Sequence, residues 1–176
     1  MKLFITGCAK TGTTLVRRLF NAFNLKVYNF DEIGIEQFYK SNYNVGKRVG
    51  GTIFSNDISE NVIKHQLNYI KKYDIKIINC LRDRSDVLKS SNNYVPEKRF
   101  NACIDQAQKY SDYIDYTINY KDLINNPNQI QTQISDYYNL EIIHNWSDYP
   151  KFIDINQENP HTKLGNYKLR KLGENY

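Results

Sequence analysis

Two basic side chains, Lys10 and Arg82, stand where a phosphorylated ligand would be met. Lys10 lies in Gly7-Cys8-Ala9-Lys10-Thr11-Gly12-Thr13-Thr14, a loop bounded by two glycines and rich in hydroxyl groups. Such glycines let successive backbone N–H groups converge on one anion. A helix opening directly afterwards adds about half a positive charge at the same point. Thr11, Gly12, Thr13 and Thr14 are therefore candidate phosphate donors through N–H and hydroxyl groups, with Lys10 as the neighbouring charge. The loop is not a Walker A loop, which carries lysine directly after its second glycine; Thr13 occupies that place. Arg82 follows the β-branched run Ile75–Leu81, and a guanidinium at a strand end offers a planar fork of donors to a phosphate. Ser90 lies eight positions on (90 − 82 = 8), about two helical turns away.

The stretch Lys10-Thr11-Gly12-Thr13-Thr14 after a hydrophobic strand resembles the 5′-phosphosulfate loop of sulfotransferases, which use 3′-phosphoadenosine 5′-phosphosulfate (PAPS) as donor. Their loop typically reads Pro-Lys-Ser/Thr-Gly-Thr-Thr, and Ala9 stands here in place of the proline. The stretch Arg82 to Ser90 is similar to the family's 3′-phosphate motif, Arg-Asn/Asp-Pro-x-Asp-x-x-x-Ser. The arginine-to-serine separation is kept, Asp86 falls at the internal aspartate, and Arg84 replaces the proline and adds a positive charge. Tyr120-Lys121-Asp122-Leu123 resembles, in the right chain order, the family's Tyr-Glu-Asp-Leu segment, although Tyr120 taken alone is expected only to pack within a strand. The three stretches span residues 2 to about 138.

The resemblance implies an enzyme that moves a sulfuryl group from PAPS to a hydroxyl of a carbohydrate or small-molecule acceptor. The product would be 3′-phosphoadenosine 5′-phosphate (PAP), and no metal would be required. It implies Lys10 beside the oxygen that bridges phosphate and sulfur, residues Thr11 to Thr14 on the 5′-phosphate, and Arg82 with Ser90 on the 3′-phosphate. It also implies an α/β fold, a three-layer sandwich around a central parallel sheet, like that of P-loop nucleotide kinases.

The general base is less defined. Cytosolic small-molecule members of the family use a histidine in a Lys-Thr-His segment, which this sequence lacks. Golgi-type carbohydrate members use a glutamate about one helix after the loop, where Phe30-Asp31-Glu32-Ile33-Gly34-Ile35-Glu36 falls. Glu32 is the first candidate, followed by Asp31 and Glu36, with Asp57 as a further one. An equally ordinary arrangement has Asp31 as a helix N-cap with acidic residues in the first turn. His65 is expected on a helix surface or in the core. In the tail, His161 to Lys171 faintly resembles the segments that close the family's 3′-phosphate site, so Lys163, with Arg170, is a candidate cofactor contact. Two other classes remain open. A P-loop nucleotide or nucleoside kinase would need a lysine after Gly12 and an acidic magnesium ligand, for which Asp83 is awkwardly placed. A catalytically inactive PAP- or nucleotide-binding protein is the other, favoured if no acidic base faces Lys10.

At 176 residues the chain suits one domain, residues 1–176, with no interior linker or repeat. No apolar run approaches the roughly 18 residues that span a membrane. The sequence enters a strand at once, so no signal peptide is expected. Three cysteines, Cys8, Cys80 and Cys103, are too few and scattered for a disulfide framework or a zinc site, and Cys8 reads as a small residue that fits its loop. A reducing, cytoplasmic setting is expected. The net charge of +5 gathers at Arg17-Arg18, Lys47-Arg48 and Lys163 to Lys171. That pattern suits an anionic cofactor and acceptor better than a nucleic-acid groove. The chain is short for the family, which implies a shallow acceptor pocket or one completed by a second copy in a homodimer.

Positioning these groups requires alternating elements. Hydrophobic periodicity predicts strands over 2–6, 25–29, 75–81 and 115–119, and helices over 13–23, 31–40, 59–73, 84–92, 97–114 and 128–138. Alternation of this kind gives a parallel sheet covered on both faces. Ligands then gather at the C-terminal strand ends, where Gly12 and Arg82 both fall.

Overall fold

The strand predicted at the N-terminus is buried on both sides: Leu3 and Ile5 face one way and Phe4 the other, all 2% exposed or less. This pattern demands partners on both edges and cover on both faces. A computed structural model describes residues 1–30, 32–48, 59–91 and 95–148, apart from the side chains of residues 90 and 91. In it, β1 (Lys2–Gly7) pairs in parallel with β2 (Val45–Lys47) on one side and β3 (Ile75–Leu81) on the other. Strand β4 (Tyr116–Asn119) extends the sheet beyond β3, giving the order β2-β1-β3-β4, parallel throughout.

Seven α-helices of the described residues accompany the sheet: α1 (Thr13–Leu19), α2 (Ile35–Lys40), α3 (Glu60–Lys72), α4 (Arg84–Ser91), α5 (Glu97–Lys109), α6 (Tyr120–Asn125) and α7 (Pro127–Tyr138). Leu3, Ile5, Val45, Ile78, Cys80 and Ile118 pack with Val16 and Leu19 of α1, Leu123 of α6 and Ile134 of α7. Phe4, Ile75 and Ile77 pack on the opposite face with Phe38 of α2, Ile63, Leu67 and Ile70 of α3, and Ala107 of α5. The α3 contacts recur at i, i+4 and i+7, the stripe of a helix buried on one side. The protein is therefore α/β with a parallel sheet flanked by helices, compatible with the expected three-layer sandwich. No described helix is long and apolar enough to cross a membrane.

The edge strand differs from expectation. Residues 25–29 form only one bridge, Val27 to Val45, and the strand beside β1 is Val45–Lys47. Leu25 and Val27 alternate as in a strand, but pairing with β1 rather than local propensity decides which segment joins the sheet. The helix expected over 31–40 begins only at Ile35, with Gly34 as its N-cap. Asp31 lies outside the described residues, and Glu32 precedes the helix rather than occupying its first turn. Helix α5 stops at Lys109, and Ser111–Tyr113 is a separate 3-10 turn. Helix α6 lies outside the predicted helices; Asn119 caps it by accepting from the Lys121 N–H at 2.9 Å.

Beyond α7 the chain is tied back by Trp146, which is fully buried in the α1/α7 core. The Trp146 N–H donates to the Gln131 side chain (3.1 Å), whose amide donates to the His144 carbonyl (2.7 Å). Trp146→Ala should lower stability by about 3–5 kcal/mol, the usual cost of emptying a large aromatic site. Urea denaturation checks this, and a loss below about 1 kcal/mol would show that the segment is not part of the cooperative core.

Candidate functional site

From β1 the chain passes to β2 on one side and only then to β3 on the other. The point where this order reverses lies between β1 and β3, where a doubly wound sheet opens a crevice at its C-terminal edge. Gly7 pairs with Cys80 across these strands, so the glycine-bounded loop and Arg82 leave the same edge side by side.

The loop's shape follows from its own hydrogen bonds. The Thr11 N–H (3.3 Å) and hydroxyl (2.7 Å) both donate to the Cys8 carbonyl, closing a tight turn. Thr11 is thus buried as a strut of the loop, and its hydroxyl, expected as a phosphate donor, is turned inward. Gly12 is the N-cap of α1 at φ 94°, where a Cβ would run into the Tyr120 ring. The helix opens with Val16 donating to the Gly12 carbonyl at 3.0 Å and has no side-chain cap. Helical geometry gives the N–H groups of its first turn no acceptor within the helix. Its first turn holds no acidic residue, and its last turn carries Arg17 and Arg18, the charge order that favours an anion at the N-terminal end.

Lys10 takes the left-handed conformation at φ 68°, a strained position for a residue with a Cβ. The strain is held from across the sheet: an Arg82 guanidinium nitrogen donates to the Lys10 carbonyl at 3.2 Å. The same guanidinium lies over the Tyr120 ring, 4.2 Å from its centre, and that ring is the one against Gly12. Lys10, Gly12, Arg82 and Tyr120 therefore form one constellation, with the exposed Lys10 side chain at its rim. Tyr120, expected only to pack, is the wedge that joins the other two segments. The signal for it was its place in the Tyr-x-Asp-Leu stretch.

The other candidates divide. Thr13 is buried and Thr14 half-buried in the first turn of α1, adjacent to the loop. Ser90 lies on α4 at the expected separation, but its side chain is outside the described residues, as are Asp57, Lys163 and Arg170 in full. Arg84 does not add charge to the cleft; it pairs with Glu97 of α5. Glu36 pairs with Lys40 at 2.8 Å, and the bond from that ammonium holds its carboxyl below the usual carboxylate range. Both line an open groove of about 710 Å³ between α2 and α3, together with Arg48, His65 and Tyr69. Glu32 stays at the C-terminal edge of the sheet: the Ile33 N–H donates to the Lys47 carbonyl at 3.0 Å, and a Glu32 carboxylate oxygen lies 3.9 Å from the Lys47 ammonium. Lys47 itself is 5% exposed and sits opposite Ile5 of β1. Nothing in the sequence beyond its basic pairing with Arg48 marked this lysine.

No cluster of three or more histidine, cysteine or acidic side chains able to hold a metal occurs among the described residues. The chain matches no protein-family model and no curated protein.

Proposed function

We propose that the protein is a PAPS-dependent sulfotransferase built on a P-loop nucleotide-kinase-like fold, acting on a hydroxyl of a carbohydrate or small-molecule acceptor. The observation that carries this reading is the convergence of three distant segments. The Lys10–Gly12 loop, Arg82 and Tyr120 meet at one point on the sheet edge, linked by the Arg82–Lys10 bond and the Tyr120 ring. They are the same three segments that resemble the sulfotransferase motifs; the parallel order β1-β3-β4 brings their strand ends to one edge, and the Arg82–Lys10 and Tyr120–Gly12 contacts join them there.

The chemistry suits these residues. Sulfuryl transfer, like phosphoryl transfer, asks the protein to position reactants and to meet charge growing on the leaving oxygen. The first-turn N–H groups of α1, with Thr13 and Thr14, would hold the 5′-phosphate, and Lys10 would lie beside the bridging oxygen. A guanidinium carries five N–H donors, and Arg82, which also braces the loop through the Lys10 carbonyl, would meet the 3′-phosphate with it. The Tyr120 ring, 4.2 Å from the guanidinium, would help to hold it for the 3′-phosphate. The kinase alternative draws less support, because Thr13 stands where a Walker lysine would.

Calorimetry should show PAP bound far more tightly than ATP, without magnesium. Arg82→Ala should weaken PAP binding by about 2 kcal/mol or more, since charge-assisted bonds to the phosphate and the support of the loop are lost together. Equal affinity for the two nucleotides, or ATP binding that needs magnesium, would overturn the assignment.

A further inference from the structure

Cys8 and Cys103 stand 95 positions apart (103 − 8 = 95), yet they share one buried cluster with Val87, Val95 and Phe100. Their thiols are hydrogen-bonded to each other. Cys8 belongs to the glycine-bounded loop, and its carbonyl accepts both Thr11 donors; Cys103 sits in the middle of α5. We propose that Cys8 and Cys103 form a reversible disulfide that pins this loop to α5.

The bond with Cys103, helped by the Arg99 guanidinium, holds the Cys8 thiol below its usual range, although burial pushes the other way. This favours the thiolate, which is the nucleophile in such chemistry. Hydrogen peroxide is a sufficient oxidant. The Cys8 thiolate attacks one peroxide oxygen, the O–O bond breaks, and hydroxide leaves, giving a sulfenic acid. The Cys103 sulfur then attacks the Cys8 sulfur, the S–O bond breaks, and water departs. In sum, two thiols lose two electrons and two protons, and peroxide becomes two waters. Exposures of 5% and 8% exclude bulky reagents, whereas a small oxidant needs only a brief opening of the loop. Cys80, 1% exposed and with burial pushing its thiol up, is expected to stay reduced.

Disulfide sulfurs lie about 2.05 Å apart, well inside hydrogen-bond contact, so closure draws the Cys8 loop and α5 together. The shift acts at the carbonyl that shapes the Thr11 turn, two residues before Lys10. That it gates the sulfuryl donor rests on the function proposed above.

The test uses the full chain, treated with peroxide, alkylated, digested and weighed. The expected result is the loss of two hydrogens per chain, a Cys8 peptide joined to the Cys103 peptide, an alkylated Cys80, and full reversal by dithiothreitol. Amide exchange at residues 8–12 should slow by about tenfold in the oxidised chain, because a tethered loop opens less often. Cys103→Ala should abolish both effects, and Cys103→Ser serves if alanine disturbs the packing of α5. A linkage through Cys80, no linkage at all, or unchanged exchange would overturn the proposal. The oxidised chain should bind PAP about tenfold or more weakly, and equal binding by both forms would overturn the gating. If the reduced chain binds no PAP, the proposed function falls, while mass and exchange still decide the disulfide.

Discussion

Replacing Lys10 with alanine should lower the rate constant for sulfuryl transfer by about 10²–10³-fold while PAP affinity falls less than about tenfold. The asymmetry follows from where the charge is needed. The donor's bridging oxygen gains negative charge only as its bond to sulfur breaks, so an ammonium beside it is worth most in the transition state. In the ground state the same ammonium is a solvated side chain near an anion, and such contacts are weak. Lys10 is exposed at the rim of the loop, as this role requires. Alanine is also a clean probe here. The left-handed backbone at φ 68° is as uncomfortable for alanine as for lysine, and the Arg82 bond goes to the Lys10 carbonyl, which the variant keeps. Single-turnover rates with PAPS, set beside PAP titrations, separate the two effects. Collapsed binding with an unchanged rate constant would make Lys10 an anchor and reverse the assigned role.

The parts of the fold legible in the sequence are those whose local pattern and tertiary fate agree. The run Ile75–Leu81 was expected as a strand and is β3 with the same bounds, because a β-branched run bounded by a charged loop has one comfortable place, the sheet centre. Helix α3 likewise follows its apolar stripe to within a residue at each end of the expected 59–73. Elements set by pairing rather than by pattern were hidden. Strand β2 is three residues long with a glycine at its centre, and only its register with Leu3, Phe4 and Ile5 makes it a strand. Helix α6 is six residues long, too short for periodicity to register, although Asn119 was a readable cap.

The candidate site divides in the same way. That Gly12 and Arg82 meet at one sheet edge was legible because each follows a predicted strand of a parallel sheet. The Thr11 hydroxyl misled because a threonine in such a loop can face the ligand or brace the turn, and only the distance to the Cys8 carbonyl distinguishes these. Tyr120 was undervalued for a related reason: its contact with Gly12 depends on where α6 begins. Lys47 is a partner from the unanticipated edge strand, so its pairing with Glu32 could not be foreseen before β2 was known.

That pairing sharpens the remaining large prediction, that Glu32→Gln abolishes turnover, by about 10²–10⁴-fold, and leaves PAP affinity intact. A general base contributes gains of that order, and glutamine keeps the shape while removing the basic oxygen. Glu32 is the described acidic candidate that stands at the C-terminal edge of the sheet outside any helix. Glu36, by contrast, lies in the first turn of α2 and is bonded to Lys40 beside the α2/α3 groove. The Lys47 ammonium, 3.9 Å from the Glu32 carboxylate, gives that side chain a fixed direction above β2, one strand from the Lys10 loop. The same ion pair supplies a competing explanation for any loss of activity, because the variant deprives a buried lysine of a charged partner, and such a change destabilises folds. The two explanations separate by measurement. Loss of a base lowers the rate constant at unchanged melting temperature and unchanged PAP affinity, whereas loss of a structural pair lowers the melting temperature and blunts both binding and turnover. Retained activity in Glu32→Gln would move the role to Asp31, Glu36 or Asp57. If Asp31→Asn, Glu36→Gln and Asp57→Asn also kept full activity, no acidic side chain would act as the base; an unaltered chain that binds PAP yet transfers no sulfuryl group would instead support the catalytically inactive nucleotide-binding reading.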